Sequence, residues 1–111
     1  MVSQSYTAVV ERAQGLKGVF ATEPYEAGWA HEAIIYLKVL RLSDGARIAA
    51  RVQISPDGID WADEGAVLPV ATQAGLYYVR VEKFGSWLRI EGEVKGADAS
   101  ADLYVYIALK E

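Results

Sequence analysis

The chain of 111 residues has no cysteine, a single histidine, only three prolines and no cluster of basic side chains. Without thiols there are no disulfides, thiolate zinc sites or cysteine nucleophiles, while the compartment stays open because a thiol-free chain is tolerated in either redox environment. His31 has no cysteine and no second histidine with which to share a metal, so zinc and metal-bound water are not expected and His31 reads as an ordinary loop or strand-start residue. Eleven Lys and Arg stand against fifteen Asp and Glu, a formal charge of -4 with no patch for phosphates, so neither nucleic acid nor an acidic substrate is an expected partner. The opening MVSQSYTAVVERAQ lacks the basic region and apolar core of a Sec signal. No apolar run reaches the ~18 residues of a membrane span, and no membrane association is expected.

Signs of catalysis are equally sparse. A triad could be drawn on paper from His31 with several Ser and Asp residues, but there is no G-x-S-x-G elbow to expose a strained nucleophile. Asp57, Asp60, Asp63 and Glu64 could gather around calcium, yet their spacing is not that of an EF-hand, and turn chemistry accounts for Asp57 and Asp60. Glu91 and Glu93 share one face of a strand about 7 Å apart, which suits a solvated face better than a hydrolytic pair. The expectation is a protein without catalysis, metal or cofactor.

What is present is a period of two. Ile48, Ala50, Val52 and Ile54 alternate with Arg47, Ala49, Arg51 and Gln53, the pattern of a strand with one buried and one wet face. Ser55-Pro56-Asp57-Gly58 then reverses the chain: proline fixes φ, Asp57 bonds its own backbone and Gly58 accepts positive φ. Trp61 is expected to lie over the end of this hairpin and hold its register. Upstream, 33–42 alternates Ala33, Ile35, Leu37 and Val39 before Ser43-Asp44-Gly45, and the two runs flanking that turn are expected to pair antiparallel. The wider 26–42 segment would also place Trp29, Ala33, Tyr36, Leu37 and Leu40 on one face of a helix, and the strand is the preferred reading.

Ser5 to Ala13 reads as a first strand and Val19 to Thr22 as a short edge strand, with 1–30 open to being an N-terminal arm plus that edge. Ala62-Asp63-Glu64-Gly65 reads as a loop, and Ala66 to Val70 as a proline-interrupted edge strand. Leu76 to Glu82 sets Tyr77, Val79 and Val81 against Tyr78, Arg80 and Glu82. Ser86 to Val94 turns Leu88, Ile90, Gly92 and Val94 inward. The last strand turns Leu103, Val105, Ile107 and Leu109 inward and Tyr104 and Tyr106 outward. Seven to eight short strands without a helix indicate an all-β, antiparallel β-sandwich or jelly roll in one domain, 1–111, long enough to bury about two thirds of its unfolded surface.

Tyr78, Trp87, Tyr104 and Tyr106 all project away from the aliphatic side of their strands. Either loops or the N-terminal segment cover them, or they form a protein interface, where Tyr and Trp are enriched, or they make a platform for a sugar ring. Ile54-Ser55-Pro56-Asp57-Gly58-Ile59-Asp60-Trp61, then Ala71-Thr72-Gln73-Ala74-Gly75 and Phe84-Gly85-Ser86-Trp87-Leu88-Arg89-Ile90, resembles a group of small virion proteins of tailed bacteriophages. That group has a strand ending in Q-x-S-x-D-G-x-x-W, a T-x-A-G segment and an F-G-x-x-L-R strand; the likeness spans about Leu40 to Leu109. It implies a β-sandwich that decorates or completes the capsid or belongs to the tail. The same hairpin is similar to one in discoidin-type carbohydrate-binding modules, which are longer and carry paired cysteines that this chain lacks.

The expected function is therefore a structural virion protein, most simply a capsid-decoration protein. Tyr78, Trp87, Tyr104 and Tyr106 would be its candidate interface, Asp57, Gly58 and Trp61 its structural turn, and the major capsid protein or other virion proteins and further copies of itself its partners. The alternative is a glycan-binding module that stacks sugar on Trp29, Trp61 or Trp87.

Overall fold

The computed structural model describes residues 5–111. They form nine strands and, among the described residues, no helix: β1 (Ser5–Leu16), β2 (Gly18–Ala21), β3 (Tyr25–Glu26), β4 (Glu32–Leu42), β5 (Arg47–Ser55), β6 (Ala62–Val67), β7 (Gly75–Glu82), β8 (Trp87–Lys95) and β9 (Ala101–Lys110). The strand beyond the expected seven to eight is β3, two residues that pair with Leu88 and Trp87. All pairing is antiparallel. A front sheet runs β1-β9-β4-β7 and a back sheet β2-β8-β5-β6, with β3 also on β8. The 26–42 segment is thus settled as strand over Glu32–Leu42.

The two sheets meet through the aliphatic rows that the alternation predicts. Ile35, Leu37, Leu103, Val105, Ile107 and Leu109 of the front sheet and Ile48, Val52, Leu88 and Ile90 of the back sheet are all fully buried in one cluster. Each such side chain contributes roughly 1.5–3 kcal/mol relative to exposure. The sandwich is therefore held chiefly by face-to-face burial, with the hydrogen-bonded ladders fixing which residues meet.

One expected pairing is overturned. β4 and β5 are not hydrogen-bonded to each other: β4 lies between β9 and β7, and β5 between β8 and β6. Ser43-Asp44-Gly45 does reverse the chain, with Ala46 N–H donating to Ser43 O at 3.0 Å and Gly45 at φ 75°, but it carries the chain from one sheet to the other. Alternation marks which side of a strand is buried and is the same for strands that pair and strands that stack. The 96–100 connection crosses between the sheets in the same way, and the two crossings are stitched together: Ser43 N–H donates to Ser100 O at 3.0 Å and Ser100 N–H to Ser43 Oγ at 2.9 Å.

Two smaller differences concern edges. Ala62 to Gly65, expected as a loop, is the first part of β6, where Ala62 opposes Ile54 and Asp63 opposes Gln53. Asp and Glu disguise a strand whose side chains are anchored by polar partners. At the N-terminus, residues 1–4 lie outside the described residues, and from Ser5 the chain is laddered along β9. Val10 is an extra residue there, since Val9 opposes Tyr106 and Glu11 opposes Val105; this bulge resets the alternation, so Val9 and Arg12 end on the outer side together.

Gly92 on β8 is a packing glycine. It sits between Phe20 of β2 and Ala50 of β5, and a Cβ there would lie 2.7 Å from Ala49 O and 2.9 Å from Phe20 Cζ. The ring of Phe20 fills the space that glycine leaves, so an edge strand of four residues is fastened by one aromatic side chain. Gly92→Ala is expected to lower stability by roughly 1–3 kcal/mol, seen as a lower urea midpoint at unchanged slope, because the backbone carbonyl it meets has nowhere to move.

Candidate functional site

The outward residues of the front sheet form registered rows across its strands. Val9, Tyr106, Tyr36 and Tyr78 make one row over β1, β9, β4 and β7. Arg12, Tyr104, Lys38 and Leu76 make the next. Four tyrosines are thus gathered on one face by strand register alone. Tyr36 and Tyr78 have ring centroids 6.2 Å apart at 42°, and Tyr104 and Tyr106 are 6.1 Å apart at 72°. The guanidinium of Arg80 lies 5.1 Å from the Tyr78 centroid and that of Arg12 5.8 Å from the Tyr104 centroid. Each end of the patch is therefore edged by a cation resting on a ring, in the range where such pairs attract. Tyr78 is 48% exposed and Leu76 61%.

Beside the tyrosines the face dips into a hollow of about 510 Å³, floored by Ile34 and Ala108 and rimmed by Arg80, Lys110, Glu32 and Glu82. It arises because alanine stands in the Ile34–Ala108–Thr7 row where the next row carries Tyr106. The combination is a surface of rings and one apolar depression bordered by charges of both signs. That composition suits docking, since tyrosine contributes large area at low entropic cost and a hydroxyl that bonds at the rim.

The fourth candidate lies elsewhere. Trp87 is on the outer side of the back sheet, where a side chain placed on Gly58 would begin 3.4 Å from its Cδ2 and Cε2. Trp87 lies against the 55–58 turn. Trp61, which follows that turn, carries the Arg89 guanidinium 4.3 Å from its centroid. Arg89 Nε in turn donates to Gln53 Oε1 at 2.8 Å and Gln53 Nε2 to Asp63 Oδ1 at 3.0 Å. Arg51 links Asp63 and Glu91 at 3.1 and 3.0 Å. The back face is a ladder of mutually satisfied polar groups, and two of the three tryptophans are occupied in holding it and its hairpin.

The acidic residues singled out in the sequence do not converge. Asp57 holds its own turn, Asp63 takes Arg51 and Gln53, and Glu64 Oε1 accepts Ala66 N–H at 3.1 Å. No cluster of His, Asp and Glu with metal-holding geometry occurs among the described residues. His31 is exposed and acts through its backbone, donating to Lys110 O at 2.8 Å and accepting from Lys83 N–H at 3.3 Å. The residue missed by the sequence reading is Tyr36: once Ala33, Ile35, Leu37 and Val39 face inward, Tyr36 must face out beside Tyr78 and Tyr106.

The fold is similar to that of the SPBc2 prophage-derived protein YomS in its crystal structure, with a TM-score of 0.64 at 9% identity over 100% of this chain and 96% of that one. No protein-family model and no curated protein matches the sequence.

Two carboxylates are held as anions by the fold. Asp57 accepts the N–H groups of Asp60 and Ile59 at 3.0 and 2.8 Å and the Ser55 hydroxyl at 3.0 Å, which lowers its pKa below the ordinary range, the Asp60 bond first. Asp102 is lowered chiefly by Arg41 and then by Gly15 N–H, and so ties β9 to β4 and β1. A carboxylate with a depressed folded pKa contributes stability that is present above its unfolded value of about 3.9 and is lost as pH falls through the folded pKa. Urea midpoints measured downward from pH 6 should hold to near pH 4 and then fall. Asp57→Asn and Asp102→Asn should each flatten that fall.

Proposed function

We propose that this chain is a non-enzymatic structural protein of a bacteriophage, a capsid-decoration protein that docks on the major capsid protein or another virion protein and resides in the virion. The observation that carries the reading is the row Tyr106–Tyr36–Tyr78 with Tyr104 beside it, a ring-rich face on the outer side of a rigid sheet. The fold shared with a prophage-derived protein supports a phage origin. The Arg12 and Arg80 borders favour a partner that presents apolar side chains flanked by carboxylates. Repeated over a shell, modest contacts of this kind act together through multivalency.

The sugar-binding alternative has less support. The tyrosine pairs are inclined at 42° and 72° and offer no flat plate for a pyranose. Trp61 has Arg89 over its ring and Trp87 has Gly58 against it, leaving Trp29 as the more open of the three.

Binding to capsids of the encoding phage, followed by co-sedimentation, tests the proposal. Tyr78→Ser and Tyr106→Ser are each expected to weaken binding by about tenfold or more while leaving the thermal transition in place. Full binding by a variant carrying both Tyr78→Ser and Tyr106→Ser, or saturable glycan binding lost in Trp29→Ala, would overturn it.

A further inference from the structure

The sandwich has four edges, and three are guarded. β2 is four residues long, β1 is broken by two register shifts, and β6 by one. Short strands and bulges of this kind prevent pairing with another chain. β7 has no such device: its register with β4 is unbroken from Gly75 opposite Val39 to Glu82 opposite Glu32, and it pairs with no other strand among the described residues. The core is open along this edge. Tyr77 and Val79 point inward yet are only half-buried, while their neighbours on β4, Leu37 and Ile35, are 1% and 0% exposed.

We propose that two copies of this chain pair through β7, antiparallel about a two-fold axis at Val79, joining their front sheets into one continuous sheet. Charge and size favour that register. With Val79 on the axis, Tyr78 faces the partner's Arg80 and Tyr77 faces the partner's Val81, so Arg80, already on its own Tyr78, gains a second ring. An axis at Arg80 would set two guanidinium groups opposite each other. An axis at Tyr78 would set Gly75, which has no side chain, against Val81 and leave Glu82 outside the paired run. Pairing also covers the half-open Tyr77 and Val79, and it brings the two tyrosine rows onto one surface. It does not depend on what that surface binds.

The absence of cysteine from the chain makes the test clean. Light scattering should give twice the 12.1 kDa of the chain, and Arg80→Glu should weaken dimerisation by about tenfold or more. Val79→Cys should form a disulfide-linked dimer on mild oxidation, since residues opposed across an antiparallel pair lie within disulfide reach. Should that substitution disturb the fold, Tyr78→Cys mixed with Arg80→Cys should give the cross-linked heterodimer instead. Val9→Cys on the β1 edge serves as control and should stay unlinked. A monomer at all concentrations, as when the edge awaits a strand of some other protein, overturns the proposal. So does a dimer that cross-links through Val9→Cys or is indifferent to Arg80→Glu.

Discussion

The architecture depends on one requirement: each long strand must bury one side and leave the other in water. β4 and β9 meet it for the front sheet with Ile35, Leu37, Leu103, Val105 and Ile107, and β5 and β8 for the back sheet with Ile48, Val52, Leu88 and Ile90. Because side chains alternate strictly along a strand, fixing the inner rows fixes the outer rows as well. The tyrosine patch needs no loop to position it. It is the reverse side of the core, as rigid as the ladders beneath it.

The two outer faces have been put to opposite uses. On the back, Arg51, Gln53, Asp63, Arg89 and Glu91 satisfy one another, and Trp61 and Trp87 are spent on Arg89 and on the 55–58 turn. Such a face has few unmet demands to offer a partner. On the front, the tyrosines touch mainly each other and two arginines that lie on their rings. The asymmetry leaves the front as the face with rings at its surface, the face that docks in the function proposed above, while the polar groups of the back are taken up with one another.

Much of this was legible in the residues themselves. The inner rows of β5, β7, β8 and β9 and the outward setting of Tyr78, Tyr104 and Tyr106 follow from period-two reading, and the Ser55–Gly58 reversal from turn chemistry. Which strands pair was not legible. Asp44-Gly45 looks the same whether it closes a hairpin or crosses between sheets, and the Ser43–Ser100 bonds that decide the matter join residues far apart in sequence. Alternation groups Trp87 with the tyrosines because outwardness is all that it reveals. It does not say on which sheet, and hence on which side of the molecule, a residue will lie.

The order of strands has a consequence for how the chain must be made. β9, the final strand, is inserted between β1 and β4, so the two neighbours it joins are synthesised long before it and have no ladder to share until it arrives. The back sheet, whose strands all precede residue 96, can form while translation continues. The front sheet closes only when residues 101–110 have emerged from the ribosome, by contacts across most of the chain length, a topology associated with slow folding. Until then β1 and β4 present unpaired edges, and truncation inside the last strand would leave them so.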